Sequence, residues 1–268
     1  MNTNPESQFS DKKNSKLSII TITYNAGKVL EKTIQSVINQ SFTDFEYLII
    51  DGKSTDDTLA IVEKYRSHVS HFISEPDQGI YDAMNKGLQA AKGEYVWFMN
   101  AGDEIYEPET AEHIFAQNQE ADILYGNAMY INEKGKELGL RDTITPHLLP
   151  ENLTWKSFRL GMVVCHQAFI ARKSIAPLYD LNHPYSADID WEIRCLKNAE
   201  KIFHTHLTLC NYMTGGFSQK HLRKSLQDRF LILQKHYGFF LNLLAHGKIA
   251  WRKIFQPPNP QRGNITKN

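Results

Sequence analysis

An α/β fold on a mixed, mainly parallel central sheet is predicted by three observations. Through residue 125, β-branched or aromatic runs alternate with stretches of helical periodicity. The runs are short and largely apolar, as strands covered on both faces are. After residue 126 the alternation stops and a hairpin signal appears.

The elements follow in order. Leu17–Thr23 (LSIITIT) has the length and β-branching of a buried strand, and Ala26-Gly27 breaks it. Val29, Leu30, Thr33, Ile34, Val37 and Ile38 repeat at helical spacing. Glu46–Ile50 (EYLII) is the second strand and ends in Asp51-Gly52. Thr55 or Asp56 caps the next helix, whose apolar side is Leu59, Ile61, Val62 and Tyr65. His71–Ser74 is a brief strand. A helix is predicted over Ile80–Ala91, stopped by Gly93, with the strand Glu94–Met99 (EYVWFM) after it. Pro108 suits the first turn of a further helix, and Asp122–Tyr125 (DILY) ends the alternating half. Tyr130–Gly139 then reads as a hairpin about Lys134-Gly135, and His166–Arg172 as a strand. Asp188–Lys197 reads as a helix and Ile202–Met213 as a strand. Residues 222–256 form one or two helices, Pro257-Pro258 ends the folded part, and residues 1–15 read as a disordered leader.

The chain of 268 residues is 41% hydrophobic and 22% charged, enough apolar material for a core. That excludes disorder throughout, collagen and a disulfide-stapled mini-protein. Thirty basic residues balance thirty acidic ones, which argues against a nucleic-acid partner. The balance is a cancellation, however: residues 1–219 carry a net −9 and residues 220–268 a net +9. Cys165, Cys195 and Cys210 are odd in number and form no CxxC pair, so no zinc site is expected. No secretory h-region and no run of about 18 apolar residues is visible. A reduced, cytoplasmic compartment is expected.

In parallel sheets, ligands bind outside the carboxyl ends of the strands. Tyr24 and Asn25 follow the first strand here, Asp51 ends the second, and Asn100-Ala101-Gly102-Asp103 follows EYVWFM. These residues suit a polar, metal-bound ligand, whereas Asp56 reads better as a helix cap. No GxGxxG follows the first strand and no GxxxxGK[ST] exists, which disfavours dinucleotide binding and a P-loop. Asp51-Gly52-Lys53 lacks the second acid of a phosphatase nucleophile strand.

SIITITYN, SVINQ and FEYLIIDGKSTDDT resemble the opening of family 2 glycosyltransferases. SEPDQGIYDAMNKG, AKGE and FMNAGD continue the match in order. The resemblance is strong over 16–125 and extends more weakly to Gly216 through HQAFIAR, SADIDWEIR and TGGFS. SEPDQGIYDAMNKG with NAGD looks most like bacterial enzymes that build O-antigen and other surface polysaccharides. The resemblance implies the GT-A fold, a Rossmann-like nucleotide-diphospho-sugar transferase. Its catalytic domain would span 16–219, with a donor half (16–125) and an acceptor half (126–219), followed by a basic helical extension (220–268).

Several roles follow from the resemblance. Tyr24 and Asp51 would bind the nucleoside of a donor, most simply UDP-linked, with Asn25 and Asn100 on the same side. A tyrosine face can stack on uracil, and a carboxylate can accept from base or ribose. The family often has Asp-Asp where this chain has Asp51-Gly52. Asp77 would touch the sugar or ribose. The Asp-x-Asp metal motif is reduced to NAGD, leaving Asp103 for Mg²⁺ or Mn²⁺. His166, His204 and His206 are further ligand candidates, against the reading of structural or surface histidines. Asp188, six residues before Arg194, matches the family's base, and Asp190 would point to another helix face as a favourable N-terminal acid. Gly215-Gly216 reads as a flexible loop near the acceptor or a plain turn.

From His221 to Phe255 basic and apolar residues alternate, with Trp251 among Lys248, Arg252 and Lys253. Such a helix can lie at an anionic membrane surface, or pack on the body or on a second subunit in a homo-oligomer. The reading is therefore an inverting sugar transferase acting on a glycan acceptor carried on a lipid, at the inner face of the membrane. A non-catalytic sugar-nucleotide binding or scaffolding module is the alternative, and nucleotidyl transfer would want a basic glycine-rich loop that is missing.

Overall fold

The structure is a computed structural model describing residues 15–117, 120–216, 221–245 and 247. The expected leader up to residue 14, Phe217 and Ser218, and the tail residues Lys248, Trp251, Arg252, Lys253 and Pro257-Pro258 lie outside these. The strands are β1 (Leu17–Thr23), β2 (Phe45–Asp51), β3 (His71–Ser74), β4 (Tyr95–Phe98), β5 (Glu104–Ile105), β6 (Ile123–Ile131), β7 (Glu137–Leu140), β8 (Phe169–Arg172) and β9 (Ile202–Met213). The helices are α1 (Leu30–Ile38), α2 (Thr58–Lys64), α3 (Ile80–Ala90), α4 (Thr110–Gln117), α5 (Arg141–Ile144), α6 (Ala187–Asn198) and α7 (Leu222–Tyr237).

One sheet runs β3-β2-β1-β4-β8-β6-β9-β5, with β7 beside β6. β1 pairs parallel with both β2 and β4, and β2 with β3. β8 enters antiparallel between β4 and β6, while β6 and β9 are parallel. The sheet is thus mixed and mainly parallel, as expected. Every residue of β1 is buried, which explains its unbroken apolar run. α3 lies against β1 and β2 at Gly87, where a Cβ would come within 2.6 Å of Ile20. Only glycine permits that approach.

The differences from expectation are local. The helix near Pro108 begins at Thr110, whose hydroxyl accepts the Glu107 N–H at 2.9 Å. His166–Ala168 is a 3₁₀ turn, and only Phe169–Arg172 is strand. β6 continues from Tyr125 to Ile131, so the hairpin with β7 is an extension of a core strand. β5 has two residues, too few to leave a periodic signal, and it pairs antiparallel with the end of β9.

α7 packs on α6. Buried Asp228 accepts hydrogen bonds from the Tyr185 and Ser186 N–H groups at 2.9 and 3.0 Å and pairs with His183 Nδ1 at 2.6 Å. Tyr237 stacks on Trp155 with centroids 5.5 Å apart. Ile232 and Leu233 of α7 are buried against the body, while Leu222, Leu226 and Leu231 stay exposed. Beyond it, residues 239–245 are helical, and Phe239, Phe240, Leu241, Leu243 and Leu244 are exposed. No helix among the described residues is long and apolar enough to cross a membrane.

Candidate active site

The carboxyl ends of β1, β2 and β4 lie side by side. Thr23 is paired with Asp51, and the Ala101 N–H donates to Ile22 O at 3.0 Å. The loops after β1 and β2 are joined by a set of hydrogen bonds. Asn25, in the left-handed region with φ 47°, donates its N–H to Ser54 Oγ and accepts the Thr55 N–H, both at 2.8 Å. The Ala26 N–H reaches Thr58 Oγ1 at 2.9 Å, and the Gly27 N–H reaches Asp56 Oδ2 at 3.0 Å. Asp56 Oδ1 also accepts the Thr58 N–H at 3.0 Å, although the N-cap position of α2 is taken by Asp57 and not by Thr55 or Asp56 as expected.

Asp51 is fully buried. Its carboxylate accepts from the Ser54 N–H and hydroxyl and, at 2.7 Å, from the Ser74 hydroxyl. Its visible work is to fix the turn after β2. Tyr24, by contrast, is 66% exposed and presents its ring at the sheet edge. Gly52 lies against both Tyr24 and the carboxylate of Asp77. Asp77 is held there by the Gly79 N–H, which donates to its Oδ1 at 2.9 Å, and Lys86 fastens the same loop through Pro76 O and Glu75. The structure therefore brings Tyr24 and Asp77 together across Gly52.

Asn100 and Asp103 share one turn, in which the Asp103 N–H donates to Asn100 O at 2.9 Å. Asn100 Oδ1 is buried with no hydrogen-bond partner among the described residues, as is Thr23 Oγ1 on the neighbouring strand end. Asp103 is 5% exposed, and its Oδ1 accepts the Met213 N–H at 2.9 Å. Burial pushes its carboxyl well above the usual range. A buried carboxylate and an orphaned amide oxygen on one turn are donors suited to a hard divalent cation.

Asp188 lies in the first turn of α6, with the Tyr81 hydroxyl donating to its Oδ1 at 3.2 Å. Burial raises its carboxyl above the usual value, while the Arg229 guanidinium, the Ile189 N–H and Tyr81 favour the ionised form. Tyr81 from α3 and Arg229 from α7 are residues that sequence reasoning missed. Tyr81 stands within the quoted GIYDAMNKG, but its partner is 107 positions away. Asp190 points elsewhere, as the helical spacing predicts. It binds Arg194 Nε at 2.6 Å and His236 Nε2 at 2.8 Å, so it fastens α7 to α6. Burial raises the Tyr212 hydroxyl, and the charges of Asp103 and Asp188 both add to that.

The three histidines are not with Asp103. Burial holds His166 neutral, at about 3, with its ring nitrogens against Glu192 and Tyr179 at 3.3 and 3.0 Å. His204 and His206 both face Glu151. His206 precedes Met213 by seven residues of β9, roughly 20 Å along a strand. A cavity of about 500 Å³ lies beside the site, lined by residues such as Lys32, Glu104, Lys134 and Asn211, between α1, β5 and the β6–β7 hairpin.

Residues 18–177 match glycosyl transferase family 2. A PGL/p-HBAD biosynthesis glycosyltransferase of Mycobacterium bovis is 30% identical over 79% of this chain and 82% of its own length. An uncharacterized glycosyltransferase of Mycobacterium tuberculosis is 31% identical over 89% of this chain and 92% of its own. The crystal structure of S. aureus TarS 1–349 in complex with UDP-GlcNAc aligns with TM-score 0.63 at 23% identity, covering 81% of this chain and 65% of that one, just under two thirds of its length. Glucosyl-3-phosphoglycerate synthase of M. tuberculosis, solved with Mn²⁺, UDP and glucosyl-3-phosphoglycerate, aligns with TM-score 0.58 at 16% identity over 84% of this chain and 81% of that one. With the strand-end site and the mixed sheet already described, these matches establish that the chain belongs to glycosyl transferase family 2 and is a glycosyltransferase of the GT-A fold.

Proposed function

We propose that this enzyme transfers a sugar with inversion from a nucleotide-sugar donor, UDP-linked, to a hydroxyl of a glycan acceptor. The observation that carries this reading is the environment of Asp188. A general base must be ionised near neutral pH yet basic enough to take a proton. Burial supplies the basicity here, and Tyr81, the Ile189 N–H and Arg229 preserve the charge. In the proposed step, Asp188 takes the acceptor hydroxyl proton as that oxygen attacks the anomeric carbon. The bond to the nucleoside diphosphate breaks on the opposite face, and its electron pair leaves with the phosphate.

On the donor side, Tyr24 stacks on the base, and Asp77 accepts from the sugar or ribose. Asp51 and Asn25 hold the loops on which Tyr24 rides. Asp103 and Asn100 would hold Mg²⁺ or Mn²⁺, which when bound offsets the negative charge of the diphosphate. Fold relatives solved with UDP, UDP-GlcNAc and Mn²⁺ support a nucleotide-sugar donor and a divalent metal here.

The acceptor is proposed to be lipid-linked, in bacterial surface polysaccharide synthesis at the inner membrane face. The exposed Phe240 and Leu244 after α7 support peripheral contact there. A panel of sugar nucleotides in thermal shift and nucleotide-release assays tests the reading, since a true donor stabilises the folded state. Asp188→Asn should retain donor stabilisation and lose turnover. Near wild-type turnover would remove Asp188 from its role, and full activity in chelator would remove Asp103 and Asn100 from theirs.

A further inference from the structure

The start of β9 carries a second, separate cluster. His204 Nδ1 lies 3.3 Å from Glu151 Oε2, and His206 Nε2 lies 3.3 Å from Glu151 Oε1. One ligand atom from each of the three residues falls within 4.8 Å of the others. Around a tetrahedral zinc ion, with bonds of about 2.0–2.1 Å, neighbouring ligand atoms stand about 3.3 Å apart.

The backbone is deformed to make this cluster. Tyr125 of β6 pairs with His204, but Asn127 pairs with Thr208, so β9 bulges between them. His206 sits in the bulge at φ 55°, in the left-handed region that a side chain with a Cβ disfavours. Thr205 fixes the bulge by donating its hydroxyl to Tyr125 O at 3.0 Å, and Gly126 makes room for it, since a Cβ there would strike Leu207 O. The outcome is that the two imidazoles lie with ring centroids 4.1 Å apart.

A single residue positions both kinds of ligand. The Tyr125 ring stacks on His204 at 4.8 Å and 10°. Its hydroxyl meets Pro150 O and Glu151 O at 2.8 and 2.9 Å and accepts the Leu153 N–H. Such outer contacts are what orient metal ligands. The side chains of His206 and Glu151 are 63% and 67% exposed, leaving a coordination position open to water.

We infer that Glu151, His204 and His206 form a binding site for a borderline divalent cation such as Zn²⁺, distinct from the Asp103 turn and independent of cysteine. Two imidazoles and a carboxylate select zinc over Mg²⁺, which prefers an all-oxygen octahedron. A bound ion would clamp the segment before the 3₁₀ turn Trp155–Leu160 to β9, and Trp155 in turn carries α7.

The test uses tag-free, metal-stripped full-length protein titrated with ZnCl₂ alone, read by calorimetry and by the thermal midpoint. Wild type should take up a single equivalent and gain stability, while MgCl₂ should not compete. His206→Gly relieves the left-handed strain, so it should fold at least as stably without metal, yet bind zinc more weakly by about tenfold or more. Glu151→Gln should lose zinc binding similarly. Asp103→Asn should keep it. Zinc uptake unchanged in His206→Gly and Glu151→Gln, or absent from wild type, overturns the inference. So does uptake lost only in Asp103→Asn.

Discussion

The carboxylate of Asp77 fills the space that a Cβ on Gly52 would need. An acid from the loop after β3 thus occupies the space beside Gly52. Substituting Gly52 by Ala should displace Asp77 without touching the core. The expected result is a thermal midpoint near wild type and donor binding about tenfold weaker, a loss of about 1.4 kcal/mol. Because both changes act through one contact, Asp77→Ala should add little to Gly52→Ala in a double-mutant cycle, and full additivity would separate them.

Asp188 should govern the acid limb of the pH–rate profile. As a base it works only when ionised, so kcat/KM rises with pH through its pKa. The Tyr81 hydroxyl and the Arg229 charge both favour the ionised carboxylate. Tyr81→Phe and Arg229→Gln should therefore move this limb to higher pH, by about one unit for the lost hydrogen bond. Asp188→Asn should lower kcat by about 10²–10⁴ with donor binding intact. A limb that stays in place in both partner variants would dissociate them from the base.

Asp190 is a stability element. Burial alone would raise its carboxyl, but the His236 hydrogen bond and the charges of Arg194 and Lys235 outweigh it and hold it below the carboxylate range. Asp190→Asn should cost about 3–5 kcal/mol at neutral pH, as for a buried pair that loses a partner. A depressed pKa contributes stability above the unfolded value, about 3.9, and that contribution is lost as pH falls through the folded one. The gap between wild type and variant in urea melts should thus be full at pH 6 and shrink below about pH 4. A pH-independent gap would mean that the charge is irrelevant.

Membrane contact is testable without truncation. Removing everything after residue 219 would also remove Asp228 and Arg229, which serve α6 and Asp188. Phe240→Glu with Leu244→Glu changes only side chains that are 80% and 71% exposed. Co-sedimentation with anionic vesicles should fall about tenfold or more, since these side chains lose their apolar burial. Unchanged sedimentation would leave the exposed stretch without a lipid role.

The strands of the donor half were legible because burial on both faces leaves continuous runs such as LSIITIT, and both bounds of Leu17–Thr23 and His71–Ser74 there, and of Ile202–Met213 in the other half, coincide with those expected. The strand-end residues were legible for the same reason, since a known edge tells which positions to inspect. β5 was not, because two residues carry no period. Nor were Tyr81 and Arg229: what matters in them is a meeting with Asp188 across the fold, and no spacing encodes it. Asp51 was legible as a strand-end position, but its bonds to Ser54 and Ser74 were not, because no spacing announces them.

The bonds from Asp228 to the Tyr185 and Ser186 amides bear on any attempt to exchange parts between relatives. The recognisable motifs stop near Gly216, which invites a splice there. A chimera cut at that point would leave two backbone donors at the root of α6 unfilled and Asp188 without the Arg229 charge. Grafts that aim to alter acceptor choice should instead carry α6 and α7 as one transplanted piece.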